Sequence, residues 1–410
     1  MNRLTTPFGS YELTRFPQDP RDRLRAWDAA DEYLLHHLES GTGDRGPVEL
    51  GGGRQITVLG DRWGALTTAL AAFHPTQITD SSLTRSATMA NLDRAGIGTA
   101  KDTVTLLTTQ DEPPARIDVL LVRVPKSLAL LEDQLHRLAP RLHADSVVVG
   151  TGMVKEIHTS TLRLFERILG PTKTSLAEKK ARLIFCTPAN ATGATGTPPA
   201  AKRDGASADP WPVTYTVDAD GGSGAGLTVV NHAGIFCADR LDVGTRFFLQ
   251  SIPTNTDGAR VVDLGCGNGV IGTAVAVADP RAEVVFTDES YQAIASAKAT
   301  FRANVTRDRD RADFLVGDGV AMLDPGSVDL VLCNPPFHSH QATTDATALR
   351  MFAQSRKVLR PGGELWVVAN RHMGYHTHLK RLFGNSEVTA SEPKFVVLRA
   401  VKRMEREQRP

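Results

Sequence analysis

Short apolar runs punctuated by glycine, proline and aspartate recur along this chain, and one series of them occurs twice in the same order. The first series is RQITVLGDRWGALTTALA, QITDSS, IDVLLVRVPK and DSVVVGTG, between Arg54 and Gly152. The second is VVDLGCGNGVIGTAVA, VVFTDES, VDLVLCNPPF and GELWVVAN, between Val261 and Asn370. The runs are short, rich in β-branched residues and apolar at successive positions, as strands buried on both faces of a parallel sheet must be. Gly60 aligns with Gly265, Gly64 with Gly269, Asp80 with Asp288, Asp118 with Asp329 and Pro125 with Pro336, at closely matching intervals. We read an internal duplication of one βαβ-rich domain.

Other periodicities fill in the frame. Arg21 to Leu38 predicts an amphipathic helix with Leu24, Trp27, Ala30, Leu34 and Leu35 on one face and His36 and His37 in solvent. Thr214–Val217 and Leu227–Val230, two β-branched runs around a glycine-rich stretch, predict a hairpin. A helical turn capped by Asp242 is expected over Gly244–Leu249, then a helix at Ala346–Leu359, a strand at Glu364–Ala369 and a closing strand at Phe395–Arg403. Thr187 to Pro212 is rich in Gly, Ala, Pro, Thr and Ser and reads as a linker, which divides the chain into 1–186, 187–212 and 213–410.

Composition narrows the class. With 410 residues, 41% hydrophobic and 23% charged, the chain has apolar mass for two globular domains. The net charge of +1 advertises no polyanion partner, so any nucleic-acid contact depends on locally gathered cations. The four cysteines show no metal-ligand spacing, and two of them, Cys266 and Cys333, lie inside the glycine and Asn-Pro-Pro motifs; a reducing cytoplasm is expected. The first residues carry no signal-peptide core, and no apolar run is long enough to span a membrane. His338, His340, His372, His376 and His378 lack accompanying carboxylates or thiols, so no metal site is expected.

Candidate chemistry concentrates in the second copy. Gly265, Gly267 and Gly269 form a turn where a ligand can touch main chain, a feature shared with nicotinamide and flavin enzymes. Asp263 stands where a carboxylate can receive a cofactor amino group. Asp288, about 20 residues on, stands where ribose hydroxyls are bound, and Asp318 in VGDG can meet an adenine amine. The discriminating element is Asn334-Pro335-Pro336-Phe337. The lone pair of an amino group on a base or amide is delocalised. The Asn334 amide oxygen and the Pro335 carbonyl can accept its two N–H bonds and draw the nitrogen towards tetrahedral geometry. Pro336 stiffens the turn, and Phe337 offers a face for a flipped base. Together these features point to an S-adenosylmethionine-dependent methyltransferase acting on a planar amine. In the first copy Arg62 replaces Gly267, Arg123 replaces Asn334 and Lys126 replaces Phe337. That copy is expected to be non-catalytic, with Arg123 and Lys126 on a rim facing RNA phosphates. Arg371 and His372, at a strand's carboxyl end, are expected to line the substrate cleft.

The runs WDAADEYLL, NHAGIF, LDVGTRFF, DLGCGNGVIG, NPPFH, VANRH and KFVVLRAVK resemble the bacterial ribosomal RNA guanine-N2 methyltransferases. The resemblance covers both halves and is tightest over Asn231 to Lys402. It implies an α/β fold of two tandem Rossmann-like class I methyltransferase domains, the N-terminal one degenerate. It also implies S-adenosylmethionine as cofactor and transfer of one methyl group to N2 of a single guanine in 23S rRNA. A 16S rRNA substrate, N5 methylation of a protein glutamine, adenine-N6 methylation of DNA and a non-enzymatic RNA-binding assembly factor remain as alternatives.

Overall fold

A computed structural model describes residues 3–18, 22–97, 103–189, 210–253, 255–307, 309–336 and 342–404. The chain divides into two compact units, Met1–Pro210 and Trp211–Pro410.

The first unit opens with a hairpin of β1 (Arg3–Thr6) and β2 (Gly9–Glu12), followed by α1 (Ala29–Ser40). There follow β3 (Ile56–Leu59), α2 (Ala65–Ala69), β4 (Thr76–Thr79), α3 (Ser82–Arg94), β5 (Thr105–Thr108) and β6 (Ile117–Arg123). Then come α4 (Leu128–Leu138), β7 (Leu142–Met153), α5 (Thr159–Ile168), β8 (Thr172–Thr174) and β9 (Ala181–Cys186). The seven-stranded sheet runs β5-β4-β3-β6-β7-β9-β8. Every residue of β6 is buried, as the apolar run Val119–Val122 requires of a central parallel strand, and Asp118 and Arg123 are buried with it.

The first helix starts later than its periodicity predicts. Asp28 adopts an extended conformation and forms a capping box with Asp31, so α1 begins at Ala29 and Leu24 is exposed. His37, expected in solvent, is buried against the Phe185 ring, because α1 packs one flank on β7 and β9. Burial pushes its imidazole pKa down.

The second unit repeats the plan. It begins with the predicted hairpin, β10 (Val213–Thr216) with β11 (Thr228–Asn231), and α6 (Val243–Leu249), whose start Asp242 caps through the Thr245 amide. Next come β12 (Arg260–Leu264), α7 (Val270–Ala278), β13 (Glu283–Asp288), α8 (Tyr291–Asn304), β14 (Ala312–Val316) and β15 (Val328–Cys333). The unit ends with α9 (Ala342–Val358), β16 (Leu359–Asn370), α10 (Tyr375–Phe383), β17 (Glu387–Ser391) and β18 (Phe395–Val401). Its sheet runs β14-β13-β12-β15-β16-β18-β17, strand for strand the order of the first unit. The duplication read from spacing is therefore a duplication of topology. The last strand does not close the sheet but inserts antiparallel between β16 and β17. Of the expected linker, 190–209 lie outside the described residues.

Candidate active site

The carboxyl ends of β12, β13, β15 and β16 bring the expected residues together. Leaving β12, the chain folds back on β13: the Gly265 and Cys266 amides both donate to the Thr287 carbonyl, at 2.8 and 3.0 Å. Two of the three glycines serve different ends. Gly267 holds φ +53° with open space where a Cβ would sit, so a ligand can approach its backbone. Gly269 holds φ +73°, and a Cβ there would meet Ala297 of α8 at 2.7 Å; its smallness lets α7 pack on α8.

The Asp288 carboxylate braces the turn, accepting from the Gly267 and Ser290 amides at 3.0 Å each. Burial raises its pKa against those hydrogen bonds. Half-buried at the mouth of the turn, it suits paired ribose hydroxyls. Asp263 is 1% exposed and accepts from the Gly272 amide at 2.8 Å. Burial pushes its carboxyl up to about 8, and through Gly272 it braces the start of α7. Asp318, expected to meet adenine, lies beyond β14 and already accepts from Arg350 of α9 at 3.0 and 3.2 Å.

Asn334 follows β15 with Pro335 buried and Pro336 exposed. Its Nδ2 donates to Thr245 Oγ1 at 2.9 Å, which clamps the amide. Its Oδ1 is buried with no hydrogen-bond partner among the described residues. Phe337, His338 and His340 lie outside the described residues. Cys266 and Cys333 are buried, and burial drives both thiols well above their ordinary pKa, so neither supplies a thiolate nucleophile.

Two partners were not foreseen from the sequence. Thr245 sits one turn into α6, far in sequence from Asn334, and Arg350 lies within a helix of ordinary pattern. The LDVGT cap was a sign of the first; nothing in the sequence signalled the second.

The degenerate copy departs from expectation more sharply. Arg123 is not on a rim: it is 0% exposed and pairs with Asp28 at 2.7 Å, Glu156 at 3.1 Å and Asp31 at 3.2 Å. Arg62 joins them through Glu156 at 2.7 Å and Asp28 at 3.3 Å. A guanidinium at the end of a central strand faces low dielectric, and the acidic cap of α1 satisfies it there. Burial works to raise the Glu156 carboxyl, but the Arg62 hydrogen bond and the Arg123 charge outweigh it and hold the pKa at about 2. Burial raises Asp31 against the pull of Arg123. Lys126, by contrast, is exposed. Arg371 and His372 are also exposed, just past β16, and the Arg371 guanidinium donates to Ser391 Oγ and the Glu392 carbonyl at 2.6 and 2.7 Å. Among the described residues no cluster of three His, Cys, Asp or Glu side chains could hold a metal, and no helix is long and apolar enough to cross a membrane.

The family model for the RLMG N-terminal domain matches residues 1–190, and that for the methyltransferase small domain matches 226–399. The ribosomal RNA large subunit methyltransferase G of Streptomyces avermitilis is 65% identical, over 98% of this chain and 99% of that protein. Its counterpart in Yersinia enterocolitica is 42% identical, over 96% and 92%. Among solved structures, the T. thermophilus 16S rRNA N2 methyltransferase RsmC, in complex with AdoMet and guanosine, superposes with TM-score 0.70 over 98% of this chain and 97% of that one. At 20% identity that likeness concerns the fold.

Proposed function

Because the chain belongs to the ribosomal RNA large subunit methyltransferase G family, we propose that it transfers the methyl group of S-adenosylmethionine to the N2 amine of one guanine in 23S rRNA. The residues present fit that cofactor: the open approach at Gly267, the turn from Gly265 to Gly269 and the Asp288 carboxylate form its cradle. Asp263 supports the cradle from below, and Asp318 is an adenine acceptor only if Arg350 shares it. The chemistry that S-adenosylmethionine supplies when bound is an electrophilic methyl group.

The chain's own task is to make a poor nucleophile attack. A guanine N2 lone pair is delocalised into the ring. Asn334 Oδ1 and the Pro335 carbonyl accept its two hydrogens, which turns the nitrogen out of conjugation and fixes the direction of its lone pair. Pro336 holds that turn still, and Phe337 is the stacking face in this reading. One observation carries the proposal: among the described residues Asn334 Oδ1 is buried and has no donor, while the other end of the same amide is held by Thr245. A buried acceptor left unpaired costs roughly 1–3 kcal/mol, a cost that an incoming N–H group removes. In this reading 213–410 is the catalytic domain. The copy at 1–186, whose turn is filled by Arg62 and Arg123, assists RNA binding, with exposed Lys126 among its contacts.

The test is methyl transfer from labelled S-adenosylmethionine to 23S and 16S rRNA from cells lacking the modification, with nucleoside analysis of the product. N2-methylguanosine in 23S rRNA is expected. Label in 16S rRNA alone, or in neither, overturns the assignment. Asn334→Ala should lower turnover by several orders of magnitude with cofactor affinity within about twofold; turnover within tenfold of wild type would remove Asn334 from the mechanism.

A further inference from the structure

Two side-chain amide oxygens are buried without a donor among the described residues of the second unit: Asn334 Oδ1 and Asn370 Oδ1. They stand at neighbouring strand ends. β15 and β16 run parallel, with Cys333 level with Val367, so Asn370 lies one strand across and two residues beyond the level of Asn334. That places the two Cα atoms on the order of 8 Å apart. Alternation along each strand also sets both on one face. Leu330 and Leu332 of β15 share a core with Val368 and Trp366 of β16 and with Phe247, Phe248 and Leu249 of α6, and Asn334 and Asn370 continue those two rows.

Among the described residues nothing bonds the Asn370 amide oxygen. It ends the ladder with β18, opposite Phe395, and its side chain does not cap the 3-10 turn that follows. The backbone is already fixed, since the Arg371 amide donates to the Lys394 carbonyl at 3.0 Å.

We propose that Asn370 is a base-selecting residue, its Oδ1 accepting the N1–H of the target guanine beside the N2 amine held by Asn334. The proposal rests on the guanine-N2 reading above. Guanine offers adjacent donors on its pairing edge, N1–H and the N2 amine. Adenine and cytosine place a ring acceptor beside their amine, which would face Asn370 Oδ1 lone pair to lone pair. A second fixed acceptor therefore admits guanine and rejects the other two amino bases, whereas an Asn-Pro-Pro turn alone serves any planar amine.

The experiment compares full-length wild type, Asn370→Ala and Asn370→Asp on RNA whose mapped target guanine is retained or replaced by 2-aminopurine, which keeps the amine and lacks N1–H. Wild type should prefer guanine by about 10- to 100-fold in kcat/KM, the worth of one hydrogen bond to a group otherwise left unpaired. Asn370→Ala should lose that factor on guanine, keep its turnover of 2-aminopurine, and bind S-adenosylmethionine as wild type does. Asn370→Asp, still an acceptor, should restore a preference for guanine. Equal losses on both bases, no loss on either, or a wild-type preference for 2-aminopurine would each overturn the assignment. If wild type forms no N2-methylguanosine, the guanine reading fails and the proposal with it. If it does form N2-methylguanosine but Asn370→Ala discriminates as before, the proposal alone fails.

Discussion

At the scale of single residues, burial decides what each charge or amide can do. Asp263 shows this through pH. Its folded carboxyl sits at about 8, above the ordinary carboxylate value, so the folded protein holds a proton that the unfolded chain has released. The stability associated with that proton is complete below the unfolded value and is lost as pH climbs towards 8, at about 1.4 kcal/mol per pH unit. Urea midpoints of the cofactor-free protein should therefore fall between pH 5 and pH 9, and Asp263→Asn should flatten the decline. An equally steep decline in the variant would assign the effect elsewhere. Arg123 makes the opposite point: Arg123→Met leaves buried Asp31 without its cation, while Glu156 keeps Arg62, and should destabilise the protein by roughly 3–5 kcal/mol by chemical denaturation. A loss below 1 kcal/mol would show that the cluster is solvated.

At the scale of elements, the site depends on how each βα turn meets its neighbours. Gly269 and Gly267 both have positive φ, yet only Gly269 presses on α8. Gly269→Ala should cost several kcal/mol of stability, from a left-handed alanine and a 2.7 Å approach to Ala297 together. Gly267→Ala should cost only about 1–2 kcal/mol while weakening S-adenosylmethionine binding, read by calorimetry. The helix α6 has a comparable role. Asp242 caps it through the Thr245 amide, which fixes where the Thr245 hydroxyl meets Asn334. Thr245→Val keeps the shape and removes the clamp, so turnover should fall about tenfold with cofactor affinity unchanged. Unchanged turnover would mean that the Asn-Pro-Pro turn holds its own geometry.

At the scale of the molecule, one topology is used twice with opposite outcomes. Arg123 and Asn334 hold corresponding places, as do Arg62 and Gly267, but in the first unit guanidinium groups and carboxylates close what the second leaves open. One S-adenosylmethionine should therefore bind per chain, and a calorimetric stoichiometry of two would refute the plugged-turn account. The two cations once expected on one rim should also separate experimentally. Lys126→Ala should reduce the salt slope of RNA binding by about one and leave stability alone, whereas loss of Arg123 should do the reverse.

Much of this protein is determined locally and is legible in sequence. Unbroken β-branched runs can only be buried strands, glycines between strand and helix mark the turns, and equal intervals reveal the repeat, so the α/β class, the duplication and the Asn334–Pro336 turn follow from residue order. Side-chain partners across elements do not. Whether Arg123 meets solvent or three carboxylates depends on where α1 and the turn after β7 are folded against β6. The clamp from Thr245 and the companion orphan at Asn370 exist only because α6 and β16 converge at the end of β15. Local propensity fixes which elements form, while burial and long-range pairing, visible only in three dimensions, decide which polar groups are spent on the fold and which are left for chemistry.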